Sequence, residues 1–350
     1  MPNSSHAPAA DAPAAAPAEP APPVVRALLE DGSLALRAEA AVWEAVAPWV
    51  PRIPPREPAP GEARAWIHVE AGPPAFAPPP GPADFRMRIL PGWMRPDGEA
   101  LLCSPDLGVS AVADPAALRA TVRVDLPVDA DEDRGVEMFE ALTLPAALLL
   151  GRLGRTLVHA GAVVAPGGGA WLLAGATFGG KSTTCLNLIR GGWDYLADDH
   201  VVLSHAPGGT VRVEGWPRRF NLDHGYAAGA SVGVRGRVDP DAFGPGRWRP
   251  AAPLAGLLFT RVEAALPTAL APLTPADALG RLLDQSPWLL LDAAAAAQVL
   301  ALLRETAAHP AWELRLGQDC YRDPAPLKNI LFPACGPYVA GAGAISPSSA

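Results

Sequence analysis

Between Gly175 and Ser182 the chain reads Gly-Ala-Thr-Phe-Gly-Gly-Lys-Ser, a full match to the pattern G-x-x-x-x-G-K-[ST]. No other stretch limits the fold as strongly. The apolar run Ala170–Ala174 before it reads as a buried strand, and Ser182–Ile189 after it as a helix that stops at Gly191-Gly192. A strand that turns through glycines into a helix can aim successive backbone N–H groups at one point. The helix N-terminus adds its partial positive charge to the same point. Gly175, Ala176, Thr177, Phe178, Gly179, Gly180, Lys181, Ser182 and Thr183 are therefore the expected nucleotide-binding residues. Lys181 is the point charge for the β- and γ-phosphates, and the Ser182 hydroxyl is a ligand for Mg²⁺.

Such a loop does not by itself separate a kinase from a GTPase or a motor. The next acids narrow the choice. Asp198 and Asp199 end a short apolar run, and His200–Ser204 reads as a further strand. Seventeen positions from Lys181 to Asp198 leave room for one helix and one return strand, which puts an acid beside the loop on a neighbouring strand. That short return favours a compact phosphotransfer enzyme. Of two adjacent carboxylates near a triphosphate, one can hold Mg²⁺ while the other takes a proton from an attacking hydroxyl. His159 lies upstream, on the segment that leads to the Ala170–Ala174 strand.

Charge and composition exclude other classes. With 28 Lys+Arg against 36 Asp+Glu the net charge is −8, which argues against a nucleic-acid partner. No uninterrupted apolar run of about 18 residues exists, so no membrane span is expected. A basic region followed by an apolar one is missing from the N-terminus, so the expected compartment is the cytoplasm. Cys103, Cys185, Cys320 and Cys335 are scattered without a Cys-x-x-Cys pair, and free thiols are expected.

Nine alanines and seven prolines in residues 1–23 describe a disordered or polyproline-like leader. Residues 24–153 read as a small α+β domain. It opens with an apolar, helix-permissive stretch from Val24 to Val50, and a proline-rich connector over 51–82 follows, around one strand at Trp66–Glu70. Strands are expected at Phe85–Leu90, Ala100–Cys103 and Thr121–Val124, and a helix from Arg134 to Leu153. Residues 154–335 carry the phosphate loop, with helices near 275–306 and a strand at Trp312–Leu316, and 336–350 form a flexible tail. Arg235, Arg237, Arg247 and Arg249 lie in a Gly/Pro-rich stretch that reads equally as a solvated loop or as a docking loop for an acidic or phosphorylated peptide.

Three segments together resemble a known family: Leu157-Val-His159-Ala-Gly-Ala-Val-Val164, then Trp171-Leu-Leu-Ala-Gly175 through Gly180-Lys181-Ser182-Thr183, then Gly191-Gly-Trp-Asp-Tyr-Leu-Ala-Asp198-Asp199. The chain is similar here to the HPr kinase/phosphorylase superfamily, and more closely to the HPr-kinase-related serine kinases of bacterial peptide-modification clusters, including lasso-peptide kinases. The match covers about residues 156–222. The resemblance implies an α/β fold with a P-loop kinase core of the HPr kinase/phosphoenolpyruvate carboxykinase type, and Mg-ATP-dependent transfer to a serine hydroxyl. It also implies Asp198 as general base poised by His159, Asp199 and Ser182 around the metal, and a Pro-Arg element at Pro217-Arg218-Arg219 whose arginine, Arg219, neutralises phosphate charge. Relatives assemble as hexamers, so a homo-oligomer is an expectation carried by the resemblance alone.

Two departures stand out. Thr177-Phe178-Gly179 replaces the Ser-Gly pair common in relatives, in a loop expected to expose Phe178. The Glu-x-Arg-Gly-x-Gly signature of the bifunctional enzymes has no match at Val213-Glu214-Gly215-Trp216-Pro217, which argues against phosphorolysis and against HPr as substrate. The leading expectation is an ATP- and Mg²⁺-dependent serine kinase acting on a peptide or small protein. A non-catalytic nucleotide-gated binding protein of a peptide-modification system is the alternative, and transfer to a small metabolite is a third reading.

Overall fold

Strands that stay apolar along their whole length must be covered on both faces. The run from Thr156 to Ser204 contains several of these, so the chain has to wrap its central sheet. The computed structural model describes residues 22–47, 56–87, 89–126, 132–216, 220–223, 235–238, 247–322, 327 and 329–331. It is a mixed α/β architecture with two large sheets. The leader up to residue 21 and the tail over 336–350 lie outside the described residues.

The N-terminal half supplies β1 (Val24–Ala27), β2 (Leu34–Ala38), α1 (Ala40–Val46), β3 (Ala65–Ala71), β4 (Phe85–Met87), β5 (Leu90–Met94), β6 (Ala100–Ser104), β7 (Val109–Asp114) and β8 (Arg119–Val124). Its eight strands run in the order β1-β2-β3-β8-β7-β6-β5-β4, with parallel pairing at β2/β3 and β3/β8 and antiparallel pairing elsewhere. The helix-permissive stretch from Val24 is thus corrected: it forms a hairpin and only then a seven-residue helix. Gly32, at φ +71°, makes the turn, and β2 is buried at Leu34, Ala35 and Leu36 alike, so no period-two alternation marks it as a strand.

Helix α2 (Glu132–Arg152) then joins the halves. Every residue from Ala141 to Leu150 is buried, which explains why this stretch of the helix is apolar almost all round. One continuous core runs from the N-terminal sheet through Leu142, Leu144 and Leu149 to Leu157, Val202, Trp216 and Trp288. Each fully buried leucine contributes about 1.5–3 kcal/mol.

The second half comprises β9 (Thr156–Val158), β10 (Ala160–Val164), β11 (Ala170–Ala174), α3 (Lys181–Arg190), β12 (Asp194–Ala197), β13 (His200–His205) and β14 (Val211–Trp216). A two-stranded ribbon, β15 (Phe220–Asp223) and β16 (Arg235–Val238), follows. Then come β17 (Ala251–Val262), β18 (Ala269–Pro272), α4 (Pro275–Asp284), α5 (Ala293–Ala307), β19 (Ala311–Leu316) and α6 (Gln318–Arg322). The main sheet runs β12-β10-β11-β17-β14-β13-β9, with β19 also on β17 and β18 on β19. Gly256 lets the Trp171 ring lie across β17, because a Cβ there would stand 2.6 Å from the ring.

Thr274 and Asp277 start α4 with a capping box, and Pro275 occupies its first turn. Asp292 starts α5 by accepting from the Ala294 N–H at 3.1 Å, and it also pairs with Arg152 of α2 at 2.5 Å. Asp292→Ala removes both bonds and is expected to cost about 1.5 kcal/mol, read as a lower urea midpoint with unchanged slope. An unchanged midpoint would show that neither bond contributes.

Candidate functional site

The order β12-β10-β11 fixes what meets at one edge of the main sheet. Strand β10 is antiparallel to both neighbours, with Ala160 opposite Ala174 and Ala162 opposite Ala197. The end of β11, the start of β10 and the end of β12 therefore share that edge. Gly175 follows the first, His159 precedes the second, and Asp198-Asp199 follow the third. Asp198 does not sit on a strand next to the loop, as the short return suggested: β10 intervenes. Gly161 brings the separate pieces together, because a Cβ there would lie 2.8 Å from Asp198 O and 2.9 Å from Cys185 Sγ on α3.

The loop after β11 can be built only with little side chain. A Cβ on Gly175 would approach Thr260 O to 2.5 Å. Gly180, at φ +91°, is the N-cap of α3, and a Cβ there would meet Leu316 Cδ1 at 2.3 Å. It offers no side chain to cap the helix, and the first turn of α3 holds no acid, so that end is suited to an anion. Phe178 also adopts positive φ, +65°, with its side chain 71% exposed. A non-glycine residue held there costs about 1–2 kcal/mol.

Lys181 opens α3 and is buried, its Nζ donating to Gly175 O at 2.8 Å and Ala176 O at 3.2 Å. Ser182 and Thr183 are half-buried in the same turn, and Thr184 Oγ1 donates to Gly180 O at 2.8 Å. Asp198 is 1% exposed. Burial pushes the Cys185 thiol well above its ordinary range, with Asp198 adding to the shift and Lys181 opposing it.

His159 engages the second aspartate of the pair. Its Nε2 is 3.2 Å from Asp199 Oδ1, while Asp199 Oδ2 is 3.0 Å from Nδ1 of His200. The two imidazoles stack at 5.4 Å, and His200 leans on the Trp288 ring at 6.0 Å. Trp288 is fixed in turn by donating Nε1 to Leu157 O at 2.7 Å. His200 and Trp288 were not singled out in the sequence. His200 directly follows the aspartates and could have been noticed; Trp288 arrives from between α4 and α5, with no local signal.

Arg219 and its neighbour Arg218 lie outside the described residues. Arg247 and Arg249, read equally as docking residues, serve the fold. Arg247 donates to Ile189 O at 3.1 Å and Trp193 O at 2.7 Å, satisfying carbonyls at the end of α3, and both arginines pair with Asp194. Cys103, Cys185 and Cys320 are free and buried. No helix among the described residues is long and apolar enough to cross a membrane.

The residues present fit a bound nucleotide: α3 opens at Gly180 with no side-chain cap and no acid in its first turn, and Lys181 stands at that end. Mg²⁺ usually takes one or two carboxylates, with phosphates and water for the rest. Ser182 and Asp199 suit that arrangement, and no cluster of three or more His, Cys, Asp or Glu that could hold a metal occurs among the described residues.

No protein-family model matches the chain. No curated protein matches it either. Among solved structures it is similar to the Hpr(Ser) kinase/phosphatase from Coxiella burnetii, at 12% identity over 52% of this chain and 99% of that chain, with a TM-score of 0.31. That relationship is distant, and the chemistry of the site rests on its own geometry.

Proposed function

We propose that the chain is an ATP- and Mg²⁺-dependent kinase that transfers the γ-phosphate to a serine hydroxyl of a peptide or small protein, on a P-loop core of the HPr kinase type. The observation that carries this reading is the shared sheet edge, where the glycine loop, His159 and the Asp198-Asp199 pair emerge together. ATP would supply the phosphoryl group, and Mg²⁺ charge neutralisation. The backbone N–H groups of the loop and of the first turn of α3, apart from the Gly179 N–H that donates to Ala176 O, would bind phosphate oxygens, and Lys181 would exchange the loop carbonyls for the β- and γ-phosphates. Ser182 and Asp199 would hold the metal, with His159 and His200 flanking the Asp199 carboxylate on both sides. Asp198 accepts the proton of the serine Oγ as that oxygen bonds to the γ-phosphorus and the bond to the β–γ bridging oxygen breaks. Arg219 is the candidate for neutralising charge on the transferred group. The N-terminal sheet, which presents none of this chemistry, is the candidate for partner recognition.

The test is transfer of labelled γ-phosphate from Mg-ATP to short peptides encoded beside the gene. Label on serine, absent with Lys181→Ala, supports the kinase. Tight ATP binding with no transfer supports instead the nucleotide-gated binding protein, a reading favoured by the strained, exposed Phe178 in the loop.

A further inference from the structure

Gln285 ends α4 and reaches the site from a distance in sequence. Its backbone carbonyl accepts the His159 N–H at 2.9 Å. With the amide nitrogen turned inward, Nε2 stands 3.3 Å from His159 O and 3.2 Å from Gly175 O. The opposite orientation would set the amide oxygen against two carbonyls, so the network decides the matter. Gly175 O is also the atom that accepts from Lys181 Nζ.

These contacts have a consequence that rests on the kinase reading. To reach the phosphates, Lys181 must leave Gly175 O and Ala176 O. We propose that Gln285 is a positioning residue whose amide is the standing donor to Gly175 O, keeping that carbonyl satisfied and the loop entrance in place when Lys181 departs. The same amide ties the loop to the His159 turn. Without it, the departing lysine strips the carbonyl of its remaining side-chain donor. That loss is large enough to weaken Mg-ATP binding about tenfold.

The experiment is calorimetric titration of Mg-ATP into four full-length proteins: wild type, Gln285→Met, Lys181→Met and the double variant. Methionine keeps the length of the side chain and leaves the backbone bond to His159 untouched. Gln285→Met is expected to raise the dissociation constant about tenfold when Lys181 is present, and by less than about twofold in the Lys181→Met background. In that background no lysine leaves, so the carbonyl keeps the same donors before and after binding. A purely structural role would weaken binding equally in both backgrounds, and that result overturns the proposal. So does unchanged affinity of Gln285→Met in the presence of Lys181. If wild type does not bind Mg-ATP, the kinase reading fails and the proposal with it, an outcome distinct from the other two. Should the methionine variant melt early, Gln285→Leu, uncharged and equally without a donor, is expected to show the same dependence on Lys181.

Discussion

Asp198→Asn is expected to lower phosphoryl transfer about a thousandfold while leaving Mg-ATP affinity within about threefold of wild type. General-base catalysis contributes about 10²–10⁴, and the amide keeps the shape of the carboxylate while losing its capacity to take a proton. Shape matters here because Asp198 is buried at the end of β12, with its backbone against Gly161. The loop that would hold the triphosphate is built from β11, α3 and β17, none of which the substitution alters. Lys181→Ala should behave differently, abolishing transfer and weakening Mg-ATP binding to a level that calorimetry still reads, since its ammonium is the charge assigned to the phosphates while the loop and the α3 N-terminus remain. The pair of variants therefore separates binding from chemistry. If Asp198→Asn phosphorylates serine at the wild-type rate, the base is another group; if it also loses Mg-ATP, Asp198 belongs to the metal site.

Different parts of this arrangement left different traces in the sequence. The loop is legible because its demands are local: Gly175 and Gly180 sit where a Cβ would collide with Thr260 O and Leu316 Cδ1, and glycines at that spacing before Lys-Ser are recognisable without any neighbour. Asp198 and Asp199 could be found from their distance along the chain, although the intervening β10 could not. Gln285 left no trace, since its importance lies in two carbonyls contributed by other elements. The hairpin β1/β2 was misread for a related reason. Tertiary cover buries both faces of β2 and erases the alternation that identifies a half-exposed strand. The fate of Arg247 was equally non-local, as its partners are carbonyls at the far end of α3.

A second large effect is expected far from the loop, at Glu214. This residue lies on β14, is 5% exposed, and its Oε1 accepts the Glu30 N–H from the β1–β2 turn, so it joins the two halves of the chain. Burial drives its pKa from 4.5 up to about 7. The Glu30 N–H, Arg212 and Arg155 oppose that rise and Asp31 adds to it, while Arg212 is itself paired with Glu30 and Arg155 with Asp31. Between pH 4.5 and about 7 the folded chain therefore holds a proton on Glu214 that the unfolded chain has released. Stability contributed by this group is present below pH 4.5, falls as the pH rises towards 7, and stays lost above it. The span corresponds to about 3 kcal/mol, roughly three-hundredfold in the unfolding equilibrium. Glu214→Gln keeps an acceptor for the Glu30 N–H and has no proton to lose. Denaturant unfolding of both proteins from pH 4.5 to 8 should thus show the variant gaining about 3 kcal/mol on wild type across the window, a difference in which the other titrating groups cancel. Parallel curves would mean that Glu214 stays charged and solvated, and that the contact between the β1–β2 turn and β14 is looser than its burial implies.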